Sequence, residues 1–457
     1  MPSDEARAAG RPVTSDTIAA IATPTGRGGI GVVRVSGPNV ASLARQVLGR
    51  VPTPRRAGLC TARDRGGEPI DEGIALYFEP PRSYTGEAVL EFQGHGGAVV
   101  LREVLGAFLD AGARLANPGE FTQRAFLNGR IDLAQAESVA DLIDAASREA
   151  ARSALRSLKG AFSEAIHALV GSLIELRVLL EAMLDFPEEE VDALHRDEAR
   201  ARLECVRTTL EEVVRRSQQG RLLRSGINVV LAGRPNVGKS SLLNRLAGEE
   251  RAIVTELPGT TRDALRESIL IEGVPVNIVD TAGLRESRDT IERLGIERTR
   301  KELAQADAVV VVFDAAQGFV AEDAAVLGEL PTRGARICVL NKTDLPAAAE
   351  SGDFPVGETQ LRVSAKSGAG LDALRAAILK AAGWQAHAET TFLARERHLR
   401  ALARARTHLD AAAGQQGRWE LFAEELRLAQ QALTEITGEF TADELLGEIF
   451  ARFCIGK

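Results

Sequence analysis

The stretch Val229-Val230-Leu231-Ala232-Gly233-Arg234-Pro235-Asn236-Val237-Gly238-Lys239-Ser240 limits the fold of this chain more than any other. Its second half is G-x-x-x-x-G-K-S. An apolar run feeds it and Ser241-Leu242-Leu243 opens a helix behind it, the strand–loop–helix context that separates a phosphate-binding loop from a chance match. The glycines let backbone N–H groups approach a phosphate at a helix N-terminus, Lys239 can neutralise its β/γ oxygens, and Ser240 can hold Mg²⁺. Such a strand needs neighbours. Val276-Asn277-Ile278-Val279, Ala308-Val309-Val310-Val311-Val312 and Ile337-Cys338-Val339-Leu340 supply them, separated by helical segments. This alternation predicts βαβ units around a buried, mostly parallel sheet.

Further motifs identify the nucleotide. Asp280-Thr281-Ala282-Gly283 ends a strand, where Asp280 can hold Mg²⁺ through water and the Gly283 N–H can sense a γ-phosphate. Asn341-Lys342-Thr343-Asp344 ends a later one. A carboxylate at Asp344 can accept from both the N1–H and the 2-amino group of guanine, donors that adenine does not present in that arrangement. Ser364-Ala365-Lys366 follows the last strand and can back the base with a main-chain N–H. In this order the motifs predict GTP binding. Gly259-Thr260-Thr261-Arg262-Asp263 lies where a first switch belongs, with Thr261 as second Mg²⁺ ligand. Leu284 follows Gly283, where Ras-like proteins place a water-orienting Gln. Its side chain cannot hydrogen-bond, so another residue must orient water and something must replace an arginine finger.

The remainder is organised around this unit. A length of 457 residues predicts two to four domains. Up to about residue 130, Gly and short β-branched runs (Thr17–Ile21, Gly31–Val35, Glu87–Phe92) with one helix from about Val99 to Leu109 predict an α+β domain. Phe162, Ile166, Leu169, Leu173, Leu176 and Leu180 then recur in steps of four and three on one helix, which Phe186-Pro187-Glu188 breaks. Leu203, Val206, Leu210 and Val213 continue the pattern on a second, and Leu399, Leu402, Leu409, Leu426, Leu433 and Ile436 resume it after Gly383. The prediction is a helical bundle interrupted by an inserted α/β domain, with boundaries at 1–130, 131–220, 221–383 and 384–457.

Composition narrows the class. Apolar residues are 45% and charged residues 26%, and 56 − 64 gives a net charge of −8. That argues against a surface coated in basic charge. Aromatics at 4% are too few for single-strand stacking platforms. Cys60, Cys205, Cys338 and Cys454 lie far apart, without a C-x-x-C pair, and read as reduced thiols. No apolar run reaches a membrane span and the N-terminus lacks a secretory pattern, so a cytoplasmic location is expected. Gly26-Arg27-Gly28-Gly29-Ile30-Gly31 matches G-x-G-x-x-G but precedes Val32-Val33-Arg34-Val35 rather than a helix, so it reads as a tight turn. Cys454 has the spacing of a prenylation box, but Lys457 is the wrong final residue.

Thr17-Ile18, Gly26–Gly29, Phe121-Thr122-Gln123-Arg124-Ala125-Phe126-Leu127-Asn128, the GTPase motifs and the tail Phe453-Cys454-Ile455-Gly456-Lys457 occur together in one order. Over nearly its whole length the chain thereby resembles the tRNA uridine-modification GTPases, the MnmE or TrmE family. The resemblance implies an N-terminal folate-binding-like α+β domain, a helical bundle and an inserted Ras-like P-loop GTPase domain. It implies a GTP site of Asn236, Val237, Gly238, Lys239, Ser240, Ser241, Thr255, Glu256, Leu257, Pro258, Gly259, Thr260, Thr261, Asp280–Gly283, Asn341, Lys342, Asp344 and Ser364–Lys366. It further implies a potassium ion replacing the arginine finger, on Asn236, Thr255, Leu257 and Thr260, with Glu292 orienting water. By itself Asn236 could equally cap a turn, and Glu292 would read as a solvated helix charge.

The resemblance also implies a tetrahydrofolate site at Arg34, Glu91, Arg130 and Lys457, for the 5,10-methylene form with 5-formyltetrahydrofolate as analogue. Glu91 alone would read as a strand-end surface charge, and Cys454 as a small buried hydrophobe, whereas in the family the tail cysteine matters for modification. The implied assembly is a homodimer through the N-terminal domains, joined in a heterotetramer by an FAD-containing partner of the MnmG (GidA) type. Its expected activity is GTP hydrolysis coupled to adding a carboxymethylaminomethyl group to C5 of the wobble uridine of certain tRNAs. An RNA-binding ribosome-assembly GTPase, or a nucleotide-controlled scaffold, is the alternative.

Overall fold

A computed structural model describes residues 16–185, 192–248, 266–280, 303, 306–330, 335–346, 359–385, 391–415, 418–439, 443–451 and 453–456. The chain divides into two compact units, residues 1–140 with 434–457, and residues 141–433.

The first unit is built on β1 (Ile18–Ile21), β2 (Gly28–Ser36), β3 (Gly58–Arg63), β4 (Pro69–Phe78), β5 (Val89–Gly96) and β6 (Arg114–Leu115). They form a sheet in the order β3-β4-β5-β2-β1-β6. The β1–β6 pair is parallel and the other neighbours antiparallel. Strand alternation puts Val33, Val35, Leu90 and Phe92 into one core with Leu43 and Val47 of helix Val40–Leu48 and Val104 and Phe108 of helix Ala98–Asp110. Arg34 and Glu91, between those residues, point to the other face and stand opposite each other in register. Sequence reading places β1, β2 and β5 within a few residues but misses β3, β4 and β6. The residues Gly26–Gly31 enter a strand with an irregular register between Gly28 and Gly31, and Gly26 has φ +131°. A turn and bulge occupy the glycine motif, and no helix follows it.

The chain's tail completes this unit. Helix Asp443–Ala451 buries Leu446, Ile449 and Phe450, with Phe453 beyond it, against Phe126 and Leu133. A Cβ on Gly456 (φ +96°) would lie 2.4 Å from the Ile21 oxygen, and one on Gly119 2.6 Å from the Phe450 oxygen. Both positions exclude a side chain because backbone passes so close.

In the second unit the apolar stripe of helix Ala161–Asp185, Phe162 through Leu180, is almost wholly buried, as are Leu203, Val206, Leu210 and Val213 of helix Asp192–Ser225. Helix Asp192–Ser225 packs on both Ala161–Asp185 and Glu396–Gly414. It runs almost directly into β7 (Ile227–Ala232) of a second sheet, with β8 (Arg266–Ile271), β9 (Val274–Asp280), β10 (Ala308–Asp314), β11 (Ala335–Asn341) and β12 (Thr359–Arg362). The order is β12-β11-β10-β7-β9-β8, and every pair is parallel except the hairpin β8–β9. This is the mostly parallel Ras-like α/β sheet that the sequence predicts, set between helical segments. Where the chain leaves it, Gln219 accepts from Gln385 N at 2.9 Å and donates to Gly383 O at 2.8 Å. The Arg216 guanidinium lies 3.9 Å from the Phe392 ring centroid. The entering helix therefore holds Gly383, Gln385 and Phe392 of the departing chain.

Candidate functional sites

The phosphate loop joins β7 to helix Lys239–Ala247. Three of its residues adopt positive φ: Gly233 (+144°), Asn236 (+66°) and Gly238 (+96°). A Cβ at Gly233 would meet the Val312 oxygen at 2.5 Å, and one at Gly238 the Asn341 Nδ2 at 2.3 Å. Only glycine fits either position. Lys239 is 5% exposed, and its ammonium donates to Gly233 O and Arg234 O, both at 2.8 Å. The charge is thus poised across the mouth of the loop. Ser240 and Ser241 are exposed in the first helical turn, and Val237 is buried below.

Asn341 joins this loop to the base-reading segments. Its buried amide donates to Val237 O at 2.9 Å and accepts from Ala365 N at 3.0 Å. Lys342 (φ +65°) donates to Asn236 O at 2.8 Å and pairs with Asp314 at 2.7 Å. Ser364 Oγ donates to Asp344 Oδ1 at 2.7 Å while accepting from Ser367 N at 3.1 Å. That hydroxyl, the main influence, holds the exposed Asp344 carboxyl below its ordinary value. An ionised acceptor is ready at neutral pH. Lys366 is exposed on the same turn, and Asp280 ends β9 opposite Leu231.

Sequence reasoning missed Asp314, which ends β10 and anchors Lys342, and Asp323 and Gln317, which take Arg234 at 2.6 and 3.3 Å. An acid closing a parallel strand, Phe313-Asp314, was the available signal. Thr255–Thr261, Thr281–Gly283, Leu284, Glu292 and Lys457 lie outside the described residues.

The second site is in the first unit. Arg34 donates from Nε and Nη2 to one Glu91 oxygen, both at 2.9 Å, and from Nη1 to Gly456 O at 3.2 Å. Its guanidinium also lies 5.7 Å from the Tyr84 and Phe121 ring centroids. A cavity of about 280 Å³ opens beside this pair, lined by Glu91, Arg130, Tyr84, Phe78, Arg55 and Arg82, with Ser83 and Val89. The fold brings three candidates together here: Glu91 and Arg130 in the wall, Arg34 behind Glu91. Tyr84, Phe78, Arg55 and Arg82 were not legible, because the strand pairing and the following loop deliver them. The loop is held by helix Glu120–Leu127: Tyr84 OH meets Thr122 Oγ1 at 2.8 Å, and Asn128 just beyond donates to Thr85 O at 2.7 Å. Gly86 (φ +81°) brings its backbone against Arg130, whose Cγ would be 3.2 Å from an added Cβ. Cys454 is an exposed free thiol, and its carbonyl accepts from Gly119 N at 3.3 Å. Among the described residues no group of three or more His, Cys, Asp or Glu is placed to hold a metal, and no helix is long and apolar enough to cross a membrane.

Residues 133–454 match the family described as the MnmE helical domain, and residues 17–130 the GTP-binding protein TrmE N-terminus. The tRNA modification GTPase MnmE of Azoarcus sp. (strain BH72) is 59% identical, covering 98% of this chain and 99% of that protein. The protein of the same name from Thiobacillus denitrificans is 58% identical over 98% and 99%. Among solved structures, the G domain of the T. maritima FeoB iron transporter is 26% identical over 34% of this chain and 98% of that one, with a TM-score of 0.26. At such identity over nearly full length, with both family matches in place, the chain belongs to the MnmE (TrmE) family of tRNA modification GTPases.

Proposed function

We propose that this chain hydrolyses GTP, with Mg²⁺ and K⁺, to drive the addition of a carboxymethylaminomethyl group to C5 of the wobble uridine of certain tRNAs. It would act in the cytoplasm as a homodimer, with an FAD-containing MnmG (GidA) partner in a heterotetramer. The observation that carries the reading is one chain with two separate sites. A phosphate loop is locked by Asn341 to a guanine-reading turn, and a distinct cationic cavity is lined by Glu91, whose partner Arg34 also bonds Gly456 of the tail.

At the first site the residues fit a magnesium nucleotide: the buried Lys239 ammonium and the exposed Ser240 open the N-terminus of helix Lys239–Ala247. Lys239 exchanges its carbonyl partners for phosphate oxygens, and Ser240 with Thr261 would hold Mg²⁺. Leu284 can neither donate nor accept, so Glu292 takes the task of orienting water. A potassium ion on Asn236, Thr255, Leu257 and Thr260 would supply the positive charge that an arginine finger supplies elsewhere. Oxygen donors of carbonyl and carboxamide type suit a weakly hydrated monovalent cation.

At the second site Glu91, oriented by Arg34, can accept from the amide edge of a pterin while the Tyr84 ring offers a face for stacking. A tetrahydrofolate, when bound, supplies the one-carbon unit. Arg130 and Lys457 would meet its anionic part, and Cys454 is the nucleophile-capable side chain of the adjoining tail.

Initial hydrolysis rates in equimolar KCl and NaCl test the mechanism. A missing arginine finger is worth roughly 10³–10⁵ in rate, so potassium should accelerate turnover by orders of magnitude. Glu292→Ala should abolish most of that gain while leaving GTP affinity near normal. Equal rates in the two salts, or full activity in the variant, would contradict it.

A further inference from the structure

The cavity in the first unit has more positive charge than the head of a folate requires. Its lining holds one carboxylate, Glu91, which Arg34 already pairs at 2.9 Å. Against it stand three guanidiniums, those of Arg55, Arg82 and Arg130. Arg55 is held in place: it donates to Arg82 O and lies 5.8 Å from the Phe78 ring centroid. The Arg82 and Arg130 guanidiniums have no hydrogen-bond or ion-pair partner among the described residues. The cavity, at about 280 Å³, lies just below the ~300–1,000 Å³ found for small-molecule sites. It can enclose a ring system but not a long conjugate, so the rest of the ligand must leave across the exposed guanidiniums.

We propose that Arg82 and Arg55, with Arg130, form a subsite for the γ-linked glutamate tail of the folate, and that the form this protein takes is the polyglutamylated one. This rests on the folate reading of the same site and adds to it the class of ligand. Each γ-linked glutamate contributes one more carboxylate, which a fork of guanidinium N–H donors meets with charge-assisted hydrogen bonds. Because Arg82 and Arg55 are exposed, each contact is modest and screened by salt. The subsite therefore sets preference rather than absolute affinity.

Equilibrium titration of the full-length protein with 5-formyltetrahydrofolate, as the monoglutamate and as the tri-γ-glutamate, decides the matter. The triglutamate should bind roughly five- to tenfold more tightly in low salt, with the gap narrowing as ionic strength rises. Arg82→Gln should shrink the gap to less than twofold, and Arg82→Lys should keep most of it, separating charge from shape. Equal affinity for the two forms, or a gap unchanged in Arg82→Gln, overturns the tail subsite while leaving the folate site standing. Binding of neither form overturns the folate reading, and the subsite with it.

Discussion

Asp344 meets solvent with one oxygen already fixed by Ser364 Oγ, so its carboxylate is oriented before nucleotide arrives. Asp344→Asn replaces one of its two acceptors with a donor. GTP affinity should fall roughly 30- to 1,000-fold and preference should move to xanthine nucleotides, read by titration with GTP and XTP. Unchanged GTP affinity would remove Asp344 from the base site. Residues of this kind are legible because their chemistry lies in contiguous motifs whose spacing the backbone enforces. Their supporting partners are not: Lys342 and Asp314 are 28 positions apart, and Arg234 and Asp323 are 89. Arg82 and Tyr84 are equally silent in sequence. A loop arginine and a loop tyrosine acquire a role only when β4, β5 and helix Glu120–Leu127 meet around one cavity.

Helix Glu120–Leu127 is the element that supports that cavity, and it is held by a partly buried charge network. Arg124, 3% exposed at its side chain, reaches Asp16, Glu87 and Glu120, and Glu120 also takes Arg114 at 2.6 Å. Burial raises the Glu120 pKa, but donors from Arg114, the Asn117 N–H and Arg124 outweigh it, and the net position is below the ordinary 4.5. A carboxyl depressed in the folded state gives stability that is present above its unfolded pKa and lost as pH falls through the folded value. Glu120→Gln should therefore lower stability at pH 7 by about 1–3 kcal/mol and flatten the loss of stability below pH ~4.5, in melts recorded across pH. An unaltered acid slope would contradict this.

The same scale explains which elements sequence reading recovers. Apolar runs such as Ala308–Asp314, buried at every position, and the stripe Phe162–Leu180 announce themselves. β12 has the sequence Thr-Gln-Leu-Arg at a sheet edge, largely exposed, and carries no such signal. Gly220 was equally silent. A glycine inside helix Asp192–Ser225 is ordinarily worth replacing by alanine, a gain of about 1 kcal/mol. Here an added Cβ would lie 1.6 Å from the Phe392 oxygen, so the clash decides the sign. Gly220→Ala should destabilise the protein by roughly 1–3 kcal/mol in denaturant melts. A stabilised variant would show that the helix and the Phe392 backbone are not packed as described.

At the scale of the molecule, the second unit joins a nucleotide sheet to long helices, and the first packs the C-terminal helix Asp443–Ala451 onto the N-terminal part of the chain. That pairing of ends shows in sequence only through the family resemblance, because no local pattern links Arg34 to Gly456 across 422 positions. Under the proposed function, nucleotide turnover in the second unit serves uridine chemistry that also needs the first. Mass-spectrometric profiling of tRNA nucleosides from a strain lacking this gene tests it most directly, with complementation by the wild-type, Asp344→Asn and Cys454→Ser chains. The deletion should lose its 5-carboxymethylaminomethyluridine species, the wild type should restore them, and both variants should fail to. A deletion strain with an unchanged profile would contradict it.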